Sequence, residues 1–159
     1  MSAVRGVVPA IVIVIAVVAA LWPRPSDAAG VVNHDYVGAQ RCKSCHAAEF
    51  AAWEKSPHAR AFDVLDADAK KSVRCLTCHT LVTDDTQLGL TGVQCESCHG
   101  AGRHYTPDYV MRDQELSALL GLVAKVDERA CLRCHTDASP TLGAWNWQSK
   151  RELIKHWKD

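Results

Sequence analysis

One pentapeptide pattern takes up every cysteine in the chain. It reads Cys42-Lys-Ser-Cys45-His46, Cys75-Leu-Thr-Cys78-His79, Cys95-Glu-Ser-Cys98-His99 and Cys131-Leu-Arg-Cys134-His135. Four copies of C-x-x-C-H with no cysteine left over are the signature of c-type haem attachment. The spacing has a chemical reason. Two thiols two residues apart each bond one vinyl group of the same porphyrin, and the next residue, His, reaches the iron as its proximal ligand. A disulfide framework would explain the even cysteine count but not a His after every second Cys. Zinc also uses C-x-x-C pairs, but it does not require four identical C-x-x-C-H units. Thioredoxin-like redox chemistry needs one such pair, not four. The pattern therefore predicts four covalently bound haem c groups.

Size points the same way. The chain has 159 residues, and its apolar residues are concentrated at the start. Fifteen of the sixteen residues from Val7 to Trp22 are apolar, and only two Phe, three Tyr and four Trp follow. A remainder this small and this poor in large side chains needs staples or a cofactor to hold a core. Balanced charge, 18 basic and 18 acidic residues, excludes a strongly basic nucleic-acid binder.

The first residues read as an export signal. Arg5 gives a positive start, Pro23 and Pro25 break the apolar run, and Ser26-Asp27-Ala28 offers small residues for cleavage. Residues 1–28 are thus expected to be a signal peptide, or an uncleaved anchor, and 29–159 a tetrahaem domain. Sixteen residues fall short of the roughly 20 that span a bilayer. The expected location is periplasmic or extracellular, with membrane contact only if the segment stays attached.

The remaining iron ligands can be counted. Besides the proximal His46, His79, His99 and His135, the chain has His34, His58, His104 and His156. Met111 is the one methionine beyond the leader, so sulfur ligation has little supply. Four spare His for four open iron positions predict mostly bis-histidine, low-potential haems. Spacing does not say which His caps which iron.

The fold is expected to be mainly α, with few or no strands and a core dominated by haem. Intervals of 33, 20 and 36 residues between motif His exclude an even repeat. Helices are predicted over Ala47–Lys55, Asp66–Val73 and Glu115–Lys125, the last the longest and weakened by Gly121. Thr83–Gly92 reads as a loop, and Gly100 and Gly102 break the chain after the third motif. Asp127 is placed to cap a helix entering the fourth motif. Ser149 and Glu152 form a capping box opening a last helix that carries His156.

Residues around the motifs add specificity. Tyr36-Val37-Gly38 precedes the first motif, and Trp53-Glu-Lys-Ser56-Pro57-His58-Ala59 follows it. Gly92-Val-Gln-Cys95-Glu-Ser-Cys98-His99-Gly100-Ala-Gly102 surrounds the third, and Ser139-Pro140 and Ile154-Lys155-His156 follow the fourth. Together these resemble the cytochrome c-554 family of tetrahaem electron carriers, from Tyr36 to His156. The resemblance implies close-packed haem pairs. It implies that His58 caps the haem of His99, His104 that of His46, and His156 that of His135. It also implies an open distal side at His79. His34 departs from the family pattern; it could close that haem, cap one on a neighbouring subunit, or do neither.

The expected function is electron transfer between a redox donor and a redox acceptor protein. Asp63, Asp66, Asp68, Asp84 and Asp85, or Lys150, Arg151, Lys155 and Lys158, are candidate docking charges. No catalytic constellation is visible. The alternatives are reduction of a small nitrogen oxide or peroxide at an open His79 haem, or assembly as a homo-oligomer or extracellular filament.

Overall fold

The structure is a computed structural model that describes residues 35–83, 89–137, 139 and 145–156. The leader, His34, Asp84, Asp85 and Lys158 lie outside the described residues. Eight short α-helices are present among those described: α1 Ala39–Lys43, α2 Ala47–Glu54, α3 Val73–His79, α4 Cys95–His99, α5 Asp108–Met111, α6 Gln114–Leu119, α7 Glu128–Leu132 and α8 Trp147–Leu153. Among the described residues the extended segments meet in one isolated bridge, Thr80 against Thr91. The mainly helical expectation holds.

Several boundaries differ from the sequence reading, each for a local reason. The segment predicted as a helix over Asp66–Val73 is instead a single 3-10 turn, Ala69–Lys71, and α3 starts only at Val73. Asp66 stops an earlier start, because its carboxylate accepts the N–H groups of Asp68 and Ala69 as a local turn. The predicted long helix Glu115–Lys125 ends at Leu119, and Gly121 lies at φ +102° beyond it. Among the described residues the longest helix is α2, close to its predicted span, and not the stretch from Glu115 expected to be longest. α8 starts at Trp147, earlier than the supposed capping box. Asn146 is the cap, its side-chain oxygen accepting the Ser149 N–H at 2.9 Å, and His156 follows the helix. Asp127 caps α7 as expected, accepting the Arg129 N–H at 3.0 Å.

Among the described residues the buried apolar side chains are few: Ala39, Phe50, Leu76, Val82, Leu90, Tyr105 and Val110. That is thin for a domain of this length. Polar anchors do much of the remaining work, and they centre on α4. Glu96, only 3% exposed, accepts the N–H groups of Val37 at 2.9 Å, Gly38 at 2.7 Å and Gly102 at 2.6 Å. Gln94, 5% exposed, accepts the Ala39 N–H at 2.6 Å and donates to the carbonyls of Gly89 and Thr91. Its backbone N–H donates to the Ser97 hydroxyl, which closes a capping box on α4. The helix of the third motif thereby holds the start of the first-motif helix. α4 packs on α1 and on α7, so the first, third and fourth motifs adjoin in that order.

The Trp53–His58 element is pinned to the same strip. Trp53 Nε1 donates to the Val93 carbonyl at 2.8 Å, and the Val93 N–H donates to the His58 carbonyl at 3.0 Å. Gly92, next in line, donates to the His79 carbonyl at 2.8 Å. Gly92 has φ +84°, and a Cβ there would stand 2.8 Å from the Ala59 carbonyl oxygen. Gly92→Ala is expected to destabilise the protein by about 1–3 kcal/mol through backbone strain alone. Denaturant unfolding followed by circular dichroism measures this, and an unchanged midpoint would refute it.

Candidate haem-binding sites

The four motifs share one local geometry. In the first, the His46 N–H donates to the Cys42 carbonyl at 2.9 Å, and in the fourth His135 does the same to Cys131 at 2.9 Å. The second motif closes α3, and the third is α4 itself. A helical turn sets residues i, i+3 and i+4 on one face. Each motif therefore presents two thiols and an imidazole together. All eight thiols are free of disulfides.

The thiols also meet across motifs. Cys42 and Cys95 are close enough to shift each other's proton affinity, and Cys78 is close enough to raise that of Cys134. Cys98 and Cys131 are close enough to interact electrostatically, and burial together with Cys131 pushes the Cys98 thiol up. Cys134 is pushed up to about 12, by burial first and by Cys78 second. The resulting order of motifs is first, third, fourth, second. Cys45 and Cys75 complete the first and second pairs from their own helical turns.

Three of the imidazoles, those of His79, His99 and His156, are held as metal ligands need to be. The Nδ1 of His99 bonds the Val123 carbonyl at 2.8 Å, and that of His79 bonds the Ala61 carbonyl. A bond from Nδ1–H fixes the tautomer and leaves the Nε2 lone pair for a metal. His156 has the same arrangement, its Nδ1 bonding the Ile154 carbonyl at 2.8 Å. Burial lowers the proton affinity of His58, His99 and His135, which favours the neutral, ligating form.

Two pairs of rings face each other. His58 and His135 have ring centroids 6.1 Å apart with planes at 66°, and His99 and His156 have centroids 6.1 Å apart with planes at 80°. With about 2 Å from each ring nitrogen to a shared metal, and a ring radius added at both ends, two axial imidazoles stand about 6 Å apart. The residues present thus fit haem iron. Among the described residues no group of three or more His, Cys, Asp or Glu is arranged around a metal ion. Haem iron asks for only two protein ligands.

These contacts differ from the pairing implied by the family resemblance. His58 stands against His135 rather than His99, and His156 stands against His99 rather than His135. The reason is the α1–α4–α7 order, fixed by hydrogen bonds that sequence intervals do not reveal. His104 has its Nε2 3.6 Å from the Asp35 carboxylate, which Arg103 also approaches at 3.6 Å. Sequence reasoning also missed Trp145. Its ring lies 4.5 Å from that of His135, and its Nε1 donates to Glu128 at 2.8 Å. An isolated Trp ten residues past a motif carries no readable signal of that contact. Glu96 and Gln94 were visible only as family markers.

Comparison with known proteins follows the same line. Residues 41–100, which contain the first three motifs, match the family described as cytochrome c554 and c-prime. The chain is 27% identical over 164 aligned positions to cytochrome c-554 of Nitrosomonas europaea, covering 80% of this chain and 70% of that protein. The solved structure of reduced cytochrome c554 from Nitrosomonas europaea has a similar fold. The TM-score is 0.54 at 24% identity, over 74% of this chain and 77% of that one. Motif and fold point the same way as these matches, and the chain is similar to the cytochrome c-554 family in its first three motifs and in its fold.

Proposed function

We propose that this protein is an exported tetrahaem electron carrier that passes electrons between a redox donor and a redox acceptor protein. The observation that carries the reading is the repeated turn of two thiols and one imidazole, with two of those imidazoles already opposed by a second ring at 6.1 Å. Cys42 and Cys45, Cys75 and Cys78, Cys95 and Cys98, and Cys131 and Cys134 would hold one haem each. His46, His79, His99 and His135 would be the proximal ligands, His58 the partner of His135, and His156 the partner of His99. His104 and His34 are assigned to the first two haems. Bound haem supplies a one-electron iron couple, and closely spaced copies supply a path.

The chain's own residues set the geometry and the axial ligands. The Val123 and Ala61 carbonyls orient the proximal rings from behind, which strengthens their donation to a metal. Glu96 and Gln94 lock the first and third motifs together, so their separation is fixed rather than fluctuating. The motif order makes the first and second motifs the two ends of the path. Partner proteins would dock at those ends.

The test is the mature protein made in a host with a haem-attachment system. Its intact mass should exceed that of the polypeptide by four haems, and peptide mapping should place one on each Cys pair. Low-temperature electron paramagnetic resonance of the oxidised protein should show mostly low-spin iron. A mass showing no haem would overturn the reading. A quantified high-spin haem at the second motif would instead favour small-molecule reduction at the His79 iron.

A further inference from the structure

The indole of Trp145 lies on the His135 imidazole, with ring centroids 4.5 Å apart and planes inclined by 38°. Trp145 is itself tethered. Its Nε1 donates to Glu128 Oε1 at 2.8 Å, and Glu128 is the first residue of α7, the helix that carries Cys131. A closed linkage therefore runs from the motif helix through Glu128 and Trp145 to the motif's own His. The His79 and His99 rings are fixed differently, each by a backbone carbonyl on Nδ1. Among the described residues no hydrogen bond holds the His135 ring. Rotation of a His ring about its last torsion is soft, so a ring without such a bond needs another restraint. A tethered aromatic face supplies one.

We propose that Trp145 is a positioning residue that fixes the plane in which His135 presents its nitrogen to the iron of the fourth motif. The inference rests on the haem reading of that motif. It adds a role that neither the motif nor the His count assigns. The plane matters because the opposing His58 ring is inclined at 66° to that of His135. In ferric low-spin haem the angle between the axial ring planes governs the splitting of the iron d orbitals. Strongly crossed planes bring two of those orbitals close in energy and give a signal with a large principal g-value. Releasing one ring lowers that value and broadens the signal.

The test uses the four-haem protein. Trp145→Leu removes the stack, Trp145→Phe keeps an aromatic face, and Glu128→Gln keeps an acceptor for the indole. The expected result is a shift to lower g confined to one low-spin signal in Trp145→Leu. That signal should return towards the native position in Trp145→Phe and stay native in Glu128→Gln. Unchanged spectra in Trp145→Leu with four haems bound would overturn the proposal, as would an equal shift in all signals. Should Trp145→Leu fail to mature, Glu128→Ala releases the tether instead. A shift of one signal there supports the proposal, and a native spectrum overturns it. Failure of the haem reading is separate, because peptide mapping of the native protein would then find no haem on Cys131 and Cys134.

Discussion

Glu96→Ala is expected to lower the unfolding free energy of the haem-loaded protein by about 3–9 kcal/mol, because three inward N–H groups each lose an acceptor at about 1–3 kcal/mol. The three donors are Val37, Gly38 and Gly102, and the carboxylate that serves them is 3% exposed. Against a total of about 5–15 kcal/mol for a domain, such a loss is close to the limit of folding. Glu96→Gln should be milder but still harmful. It keeps one acceptor oxygen, yet it turns an NH2 group towards N–H donors that need an acceptor. Guanidinium unfolding followed at the haem absorption band measures both variants, together with the yield of haem-loaded protein. A native midpoint for Glu96→Ala would show that the carboxylate is dispensable and that Gln94 and haem contacts suffice to hold α1 to α4.

The contrast between Glu96 and the neighbouring cysteines shows what was legible in this sequence. The thiols and proximal His declare themselves because their chemistry is local. A helical turn brings residues i, i+3 and i+4 together whatever the rest of the chain does. The role of Glu96 depends on partners 58 and 59 residues earlier, so nothing next to it gives the role away. The helix over Ala47–Glu54 was legible from its run of helix formers and the Ser56-Pro57 stop. The supposed helix through Gly121 was not, since a glycine in a periodic stretch either persists or breaks it, and here it takes φ +102°. The distal pairing was the least legible part. Four spare His fit several assignments, and which ring stands against which depends on how the motif helices pack. Trp145 is the same case, a residue whose meaning lies wholly in a contact with a distant ring.

His58→Ala is expected to convert one low-spin haem to a high-spin, ligand-accessible form while leaving the others unchanged. The change should fall on the haem attached to Cys131 and Cys134, because the His58 ring faces that of His135 at 6.1 Å. His156→Ala should do the same at Cys95 and Cys98, because its ring faces His99. The His58 replacement keeps the backbone anchor of its segment. The contact that ties His58 to the α4 approach is its carbonyl to the Val93 N–H, and alanine keeps it. Fold and haem content should therefore survive. The measurement is quantified paramagnetic resonance, with haem methyl signals assigned by nuclear magnetic resonance through their thioether neighbours. Added cyanide should bind the new site and restore low-spin iron. An effect of His58→Ala at the third haem would reinstate the pairing implied by resemblance and refute the ring contacts. If both variants leave every haem low-spin, neither His is a ligand and the bis-histidine assignment of these two irons fails.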